Sequence, residues 1–542
     1  MRIIKALPLL LLTACSASQE KIDLLIHHAT IYTVDSSFST AEALAVKDGR
    51  ILETGSNEAL LKKYAAKESI DARGQFIYPG FIDAHAHFFG YGQSLQTADL
   101  NGTTSWQAIL DTLSLFAKTH PDGWLLGRGW DQNDWDNKEF PSNEALNTLF
   151  PDRPVLVSRV DGHAAIANAK ALELAGVKPG VTLTGGTVEV RNGKLTGILI
   201  DNAIDLVNNR VPSASVQQMK QSLLDAQQRC FAVGLTTIDD CGLPYSVVEL
   251  MDGMQKSGEL KMRLYVMLSD GKQNFDYLFA KGPIKTDRLH VNGFKVYADG
   301  ALGSRGACLL HPYSDKPGWS GFLLSEPAHF DSVARILYEK NFQMCTHAIG
   351  DSGNRTILNT YAKYLKEKND RRWRIEHAQV VNKADFEMFG KYSIIPSVQP
   401  THATSDMYWA EQRLGAERVR GAYAFNDLLK QNGWIPLGTD FPVEDISPFK
   451  TFYAAVVRKD AKGWPAAGFQ VENALTREAA LRGMTIWAAK SNFEENEKGS
   501  LEKGKFADFV MLDKDLMKAA EGELLQAKVQ QTYVNGEKVF ER

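Results

Sequence analysis

The chain has 542 residues, of which 44% are hydrophobic and 23% charged, with a formal net charge of -4. That length implies more than one structural unit, and the balance is that of an ordinary globular protein. The absence of a basic footprint excludes nucleic acid as an expected partner.

The chain opens with MRIIKALPLLLLTACS. Arg2 and Lys5 precede an apolar core ending at Leu12, followed by small residues. This is a signal-peptide pattern, too short for a spanning helix. Leu12-Thr13-Ala14-Cys15 resembles the bacterial lipobox, which implies a signal peptide over residues 1–15, lipidation of Cys15 and anchoring by acyl chains. Ser16 resembles the outer-membrane sorting signal of Gram-negative bacteria. The expectation is therefore an exported lipoprotein on the outer membrane, facing the periplasm. No later apolar stretch is long enough to span a bilayer. Cys230, Cys241, Cys308 and Cys345 allow three disulfide pairings. Their mostly apolar flanks favour buried free thiols.

Short β-like runs follow. Asp48-Gly49 in AEALAVKDGRILETG and Asn535-Gly536 in QTYVNGEKVF are hairpin signals near the two ends. They predict one composite β-sandwich from residues 20–77 and 496–542. Between them, strands alternate with helices. The candidate strands are GFIDAHAH, LTTIDD, MRLYVML, FKVYADG, FQMCTHA, WRIEHA, IIPSVQP and WIPLGTD. Helices are expected over Val216 to Phe231 and Asp331 to Lys340, among others. Eight strands in this alternation predict an α/β fold with a (β/α)8 TIM-type barrel over 78–100 and 206–495. Residues 101–205 are too many for one crossover. They read as an inserted α+β subdomain, with a hairpin at Asn192-Gly193, overhanging the barrel mouth. The charged run from Glu494 to Lys505 reads as a flexible segment.

The chemistry starts at Ala84-His85-Ala86-His87. Alternate strand residues share a face, so Asp83, His85 and His87 are expected to point the same way. Two imidazoles on one face can hold a divalent ion. His347, His377 and Asp440 stand at the ends of other strands, where active sites of barrels gather. Lys295 lies inside FKVYADG, an unusual place for an ammonium. Burial depresses a lysine pKa and leaves a nucleophilic amine. Carbon dioxide converts that amine to an anionic carbamate, which can bridge two metal ions. The alternative partner for Lys295 is a buried acid such as Asp299.

The HxH strand, the strand-four lysine, two strand-end histidines and the strand-eight aspartate together resemble the amidohydrolase superfamily. PGFIDAHAH, FKVYADGALGSR, THAIGD, RIEHAQ and GTDFPV are similar to the branch typified by N-substituted formamide deformylase. The resemblance implies two divalent metal ions, commonly zinc. By its pattern His85, His87 and Asp440 hold one, His347 and His377 hold the other, and N-carboxylated Lys295 bridges them. Asp201 departs from the glutamate common at that position in the branch.

The implied reaction is hydrolysis of an amide or N-formyl carbon–nitrogen bond of a small molecule, with Asp440 as general base and acid. The same centre also serves esters, lactones and phosphoesters. Arg305, His163 and Tyr297 are candidate donors to substrate or oxyanion. Trp130, Trp135, Trp319, Tyr408 and Trp409 are candidate pocket walls. No G-x-S-x-G suggests a serine hydrolase. A non-catalytic binding lipoprotein is the competitor of another class, and all six ligand positions being filled argues against it. A homo-oligomer remains open.

Overall fold

The computed structural model describes residues 19–542. The expected signal peptide and Cys15 lie outside that range. Among the described residues no helix is long and apolar enough to cross a membrane.

The largest sheet is nearly closed and parallel apart from the two-residue strand Ile284–Lys285, which pairs antiparallel beside the seven strands of the ring. Its strands, in spatial and chain order, are β1 (Phe81–Ala86), β2 (Leu235–Leu243), β3 (Arg263–Ser269), β4 (Leu289–Tyr297), β5 (Gln343–Ala348), β6 (Arg374–His377) and β7 (Ile395–Ser397). All six residues of β1 and all six of β5 are buried. Helices and the barrel interior cover both faces, so these strands read as continuous apolar runs. Register sets Lys295 beside Cys345, Tyr297 beside His347 and Ala348 beside His377.

The expected eighth strand, WIPLGTD, is not a regular one. It nevertheless closes the ring. Pro436 O accepts from Val398 N at 3.2 Å, Leu437 O accepts from Ala84 N at 3.2 Å, and Asp440 N donates to His85 O at 2.8 Å. The irregularity has local causes. Pro436 cannot donate to a ladder. At Gly438 a Cβ would stand only 2.6 Å from His85 N, so only glycine lets the two backbones approach. Nearby, Asp83 accepts from Thr439 N at 2.9 Å and from Thr439 Oγ1 at 2.6 Å. It rivets β1 to the closing segment, which positions Asp440.

The helices obey their local signals. The helix Val216–Ala232 begins with a capping box between Ser215 and Gln218, which satisfies first-turn amides. Leu223, Ala226, Cys230 and Phe231 form its buried face, packed into the core that holds Phe81 and Leu235. The helix expected from Asp331 starts earlier, at Pro327, because proline suits the first turn.

Residues 98 to 201 supply a separate six-stranded sheet. Its last hairpin turns at Asn192 (φ 52°) and Gly193 (φ 76°). Asp48-Gly49 and Asn535-Gly536 have the same left-handed pair, as two-residue hairpin turns require. Two further sheets flank the barrel. One is four-stranded and lies within residues 20–71; the other combines strands from residues 30–79 with strands from 509–541. Leu24, Ile26, Val46, Ile77, Phe509 and Tyr533 share one apolar core between them.

The charged segment after residue 493 differs from expectation. Glu494 and Lys498 are 2% and 4% exposed and pair at 2.7 Å, and Lys285 also bonds Glu494. Pairing at helical spacing lets these charges be buried, so the segment packs against the barrel. Cys230, Cys241, Cys308 and Cys345 are all free thiols.

Candidate metal centre

The barrel mouth gathers lone pairs from several strand ends. His85 on β1 donates its Nδ1 proton to Glu376 Oε2 on β6 at 2.6 Å. Burial and the Lys295 charge push His85 down to about 4, so its ring is neutral and Nε2 carries a lone pair. His87 Nδ1 lies 3.1 Å from the Cys241 carbonyl, so in the neutral ring its Nε2 is also a lone pair. Asp440 Oδ1 lies 3.3 Å from His87 Nε2 and 3.6 Å from His85 Nε2. That oxygen is buried without a hydrogen bond. Burial opposes its charge, but the surrounding imidazoles, His402 first, hold the carboxyl well below the usual range.

Three lone pairs this close repel unless a cation lies among them. Ligand atoms 2.0–2.1 Å from a tetrahedral zinc are about 3.3 Å apart, which matches the spacing. His377 Nδ1 and His347 Nε2 are also buried without partners. The ligand atoms of His85, His377 and Asp440 all lie within 4.8 Å of one another. The residues therefore fit a divalent metal. The geometry does not separate the two expected ligand sets, since His85 and His377 face each other with ring centres 4.7 Å apart.

Lys295 is fully buried, with Nζ 3.3 Å from His85 Nε2. Its expected pKa depression is not what this pocket gives. Burial pushes it down, but Cys241, Tyr297, Glu376 and Asp440 together raise it above the ordinary value. Asp299 is not its partner. That carboxylate accepts backbone amides from Cys308, Ile349 and Gly350 at 2.8, 3.0 and 2.8 Å. It ties the loop after β4 to the end of β5.

The insert contributes to the same mouth. His163 packs 5.0 Å from the His347 ring, and its Nδ1 lies 2.6 Å from Asp201 Oδ1. Burial lowers the His163 pKa, but the Asp201 bond outweighs it and raises the ring overall. Asp201 thus orients His163. Side chains at Gly300 or Gly306 would strike the Asp201 carboxylate at 2.5 and 2.4 Å, which explains two glycines of ADGALGSRG.

A cavity of about 250 Å³ opens here, lined by His87, His163, Lys295, Tyr297, His377 and Asp440 among others. Five of the expected substrate-side residues do not line it. Arg305 is turned onto Asp315 at 3.0 Å, so it pins a loop. Trp130 is fully buried within the insert, its Nε1 bonded to Val157 O at 3.0 Å. Trp319 donates to Arg305 O at 2.8 Å and packs on Phe322. Of the other aromatic candidates, Trp409 reaches the cavity, Trp135 packs within the insert, and Tyr408 stacks on Trp464 at the surface.

Sequence reasoning missed three residues. Glu376 fixes the His85 tautomer. His402 bonds Asp440 Oδ2 at 3.0 Å and Glu444 Oε1 at 3.1 Å. Fully buried Arg374 joins Asp239 at 2.8 Å and the Ala84 carbonyl at 3.2 Å, bracing the floor. Glu376 and Arg374 were visible as charges inside an apolar strand, WRIEHA, the same signal that marked Lys295. His402 sits on the helix Pro400–Asp406, away from any strand-end pattern.

The profile described as the amidohydrolase family matches residues 68–540. The protein LONG AFTER FAR-RED 3 of Arabidopsis thaliana is 32% identical, over 96% of this chain and 91% of its own. The N-substituted formamide deformylase of Arthrobacter pascens is 25% identical, over 96% of this chain and 98% of its own. Among solved structures, an uncharacterized metal-dependent hydrolase from Pyrococcus horikoshii OT3 superposes with a TM-score of 0.75 at 27% identity, covering 92% of this chain and 99% of that one. Matches spanning nearly the whole chain, together with the donor set at the barrel mouth, place it: this protein belongs to the amidohydrolase family and is a metal-dependent hydrolytic enzyme acting on carbon–nitrogen bonds.

Proposed function

We propose that the enzyme cleaves the amide or N-formyl bond of a small molecule at a centre of two divalent ions, zinc in the first instance. His85, His87, His347, His377 and Asp440 would hold them, with N-carboxylated Lys295 between. When bound, such ions acidify water, polarise a carbonyl and disfavour the Lys295 ammonium relative to the neutral amine that takes up carbon dioxide.

The observation that carries this reading is the state of Asp440. One oxygen is a buried, unpaired anion and the other is held by His402. The free oxygen can take a proton from the attacking water and return it to the departing nitrogen. An amide needs that return, because an amine anion leaves poorly. His163, held by Asp201, directs its other ring nitrogen to the oxyanion that develops. Residues of the insert and of the barrel both line the mouth.

The test is hydrolysis by chelated and zinc-reloaded protein across N-formyl, N-acyl, ester, lactone and phosphoester panels. Release of amine from N-formyl or N-acyl compounds, by reloaded protein alone, is expected. Turnover confined to esters, lactones or phosphoesters would overturn the amide assignment. His163→Ala is expected to lower kcat by about 10²-fold, and Asp201→Asn to lower it in the same direction. Steady-state kinetics at wild-type kcat for both variants would reduce His163 to a packing role.

We further propose that a lipid on Cys15 holds the enzyme at the periplasmic face of an outer membrane. Cys15→Ser should abolish incorporation of labelled palmitate in growing cells; unchanged labelling would remove the anchor from this position.

A further inference from the structure

A second cluster of metal-binding groups lies outside the barrel, in the four-stranded sheet. His27 ends the strand Glu20–His27, and Asp71 ends its parallel neighbour Tyr64–Asp71, in register with it. His28 follows with φ 55°. That left-handed backbone breaks the alternation of a strand, so consecutive imidazoles meet instead of pointing apart. Their Nδ1 atoms are 3.1 Å apart, with the rings at 83°. His28 Nδ1 is also 3.2 Å from Asp71 Oδ1. The backbone holds the set in place: His28 N donates to Asn57 Oδ1 at 2.7 Å, and Arg73 N donates to Asp71 Oδ1 at 2.9 Å.

We propose that His27, His28 and Asp71 form a peripheral site for one divalent transition-metal ion, distinct from the catalytic centre. Two imidazole nitrogens and a carboxylate oxygen are the donor set such ions prefer. The ligand atoms lie within 4.8 Å of one another. The two measured separations match the edge of about 3.3 Å expected around a tetrahedral ion bound at 2.0–2.1 Å. The opposed Nδ1 atoms can share one proton between them, and the ion replaces it. An ion here clamps the ends of two parallel strands. The site is half exposed, so solvent completes the coordination and the ion exchanges with the medium.

The test is equilibrium dialysis of the full-length enzyme, already loaded at its catalytic centre, against excess zinc. His27→Ala/His28→Ala should hold one zinc fewer per chain than wild type, with turnover unchanged. Asp440→Asn should keep this extra equivalent, which separates the peripheral site from the catalytic reading. Zinc should raise the wild-type Tm by more than that of the double variant. Equal zinc stoichiometry in wild type and the double variant would overturn the proposal.

Discussion

Lys295→Ala is expected to reduce turnover by at least about 10³-fold, within the range that loss of a group acting directly on the reacting atoms produces. Lys295 is fully buried on β4, and its Nζ is 3.3 Å from His85 Nε2. Alanine removes both the amine and the carbamate it would form. It leaves space where a small carboxylic acid can supply two oxygens in the same place. Acetate or propionate should therefore restore part of the activity, and metal content should fall and recover in parallel. Lys295→Met, nearly equal in volume, checks the fold: its circular dichroism and Tm should stay near wild type while activity is lost. Wild-type turnover in Lys295→Ala would end the bridging role, and loss of activity without rescue or metal loss would confine Lys295 to positioning His85.

Asp440→Asn is expected to lower kcat by about 10³-fold or more. The substitution keeps the shape of the side chain and replaces an anionic, unpaired Oδ1 with a neutral amide. His402 Nε2 would still find a partner at Oδ2, and the backbone bond from residue 440 to His85 O at 2.8 Å is untouched. Stability should change little. Metal analysis then divides two roles. Retained metal with lost turnover assigns Asp440 to proton transfer, and lost metal assigns it first to binding. Turnover within tenfold of wild type would remove Asp440 from both.

The residues at this mouth adopt unusual backbone shapes. His377 (φ 73°), Ala378 (φ 42°) and Asp440 (φ 65°) lie in the left-handed region, where non-glycine residues cost about 1–3 kcal/mol each. Riveting by Asp83, bracing by Arg374 and strand closure through Gly438 hold them there. Such strain where strands end is consistent with aiming side chains inward rather than along the ladder.

What the chain pattern alone determined was the alternation of apolar runs with amphipathic helices, hence the barrel, and the turn chemistry of the three Asx-Gly hairpins. Both are local: periodicity and left-handed φ at Asn or Asp followed by glycine do not depend on distant partners. It also marked Lys295, because a lone charge inside an apolar strand stands out. Three matters were decided only by tertiary structure. Arg305 and Trp319 left the pocket because Asp315 and a loop carbonyl offered nearer partners. Glu494 and Lys498 became buried because they met each other and Lys285. His402 joined Asp440 because the helix Pro400–Asp406 carries its ring to within 3.0 Å of that carboxylate. The His402–Asp440 bond and the Lys285–Glu494 pair act over a few ångströms between residues far apart in the chain, so spacing in sequence carries no record of them.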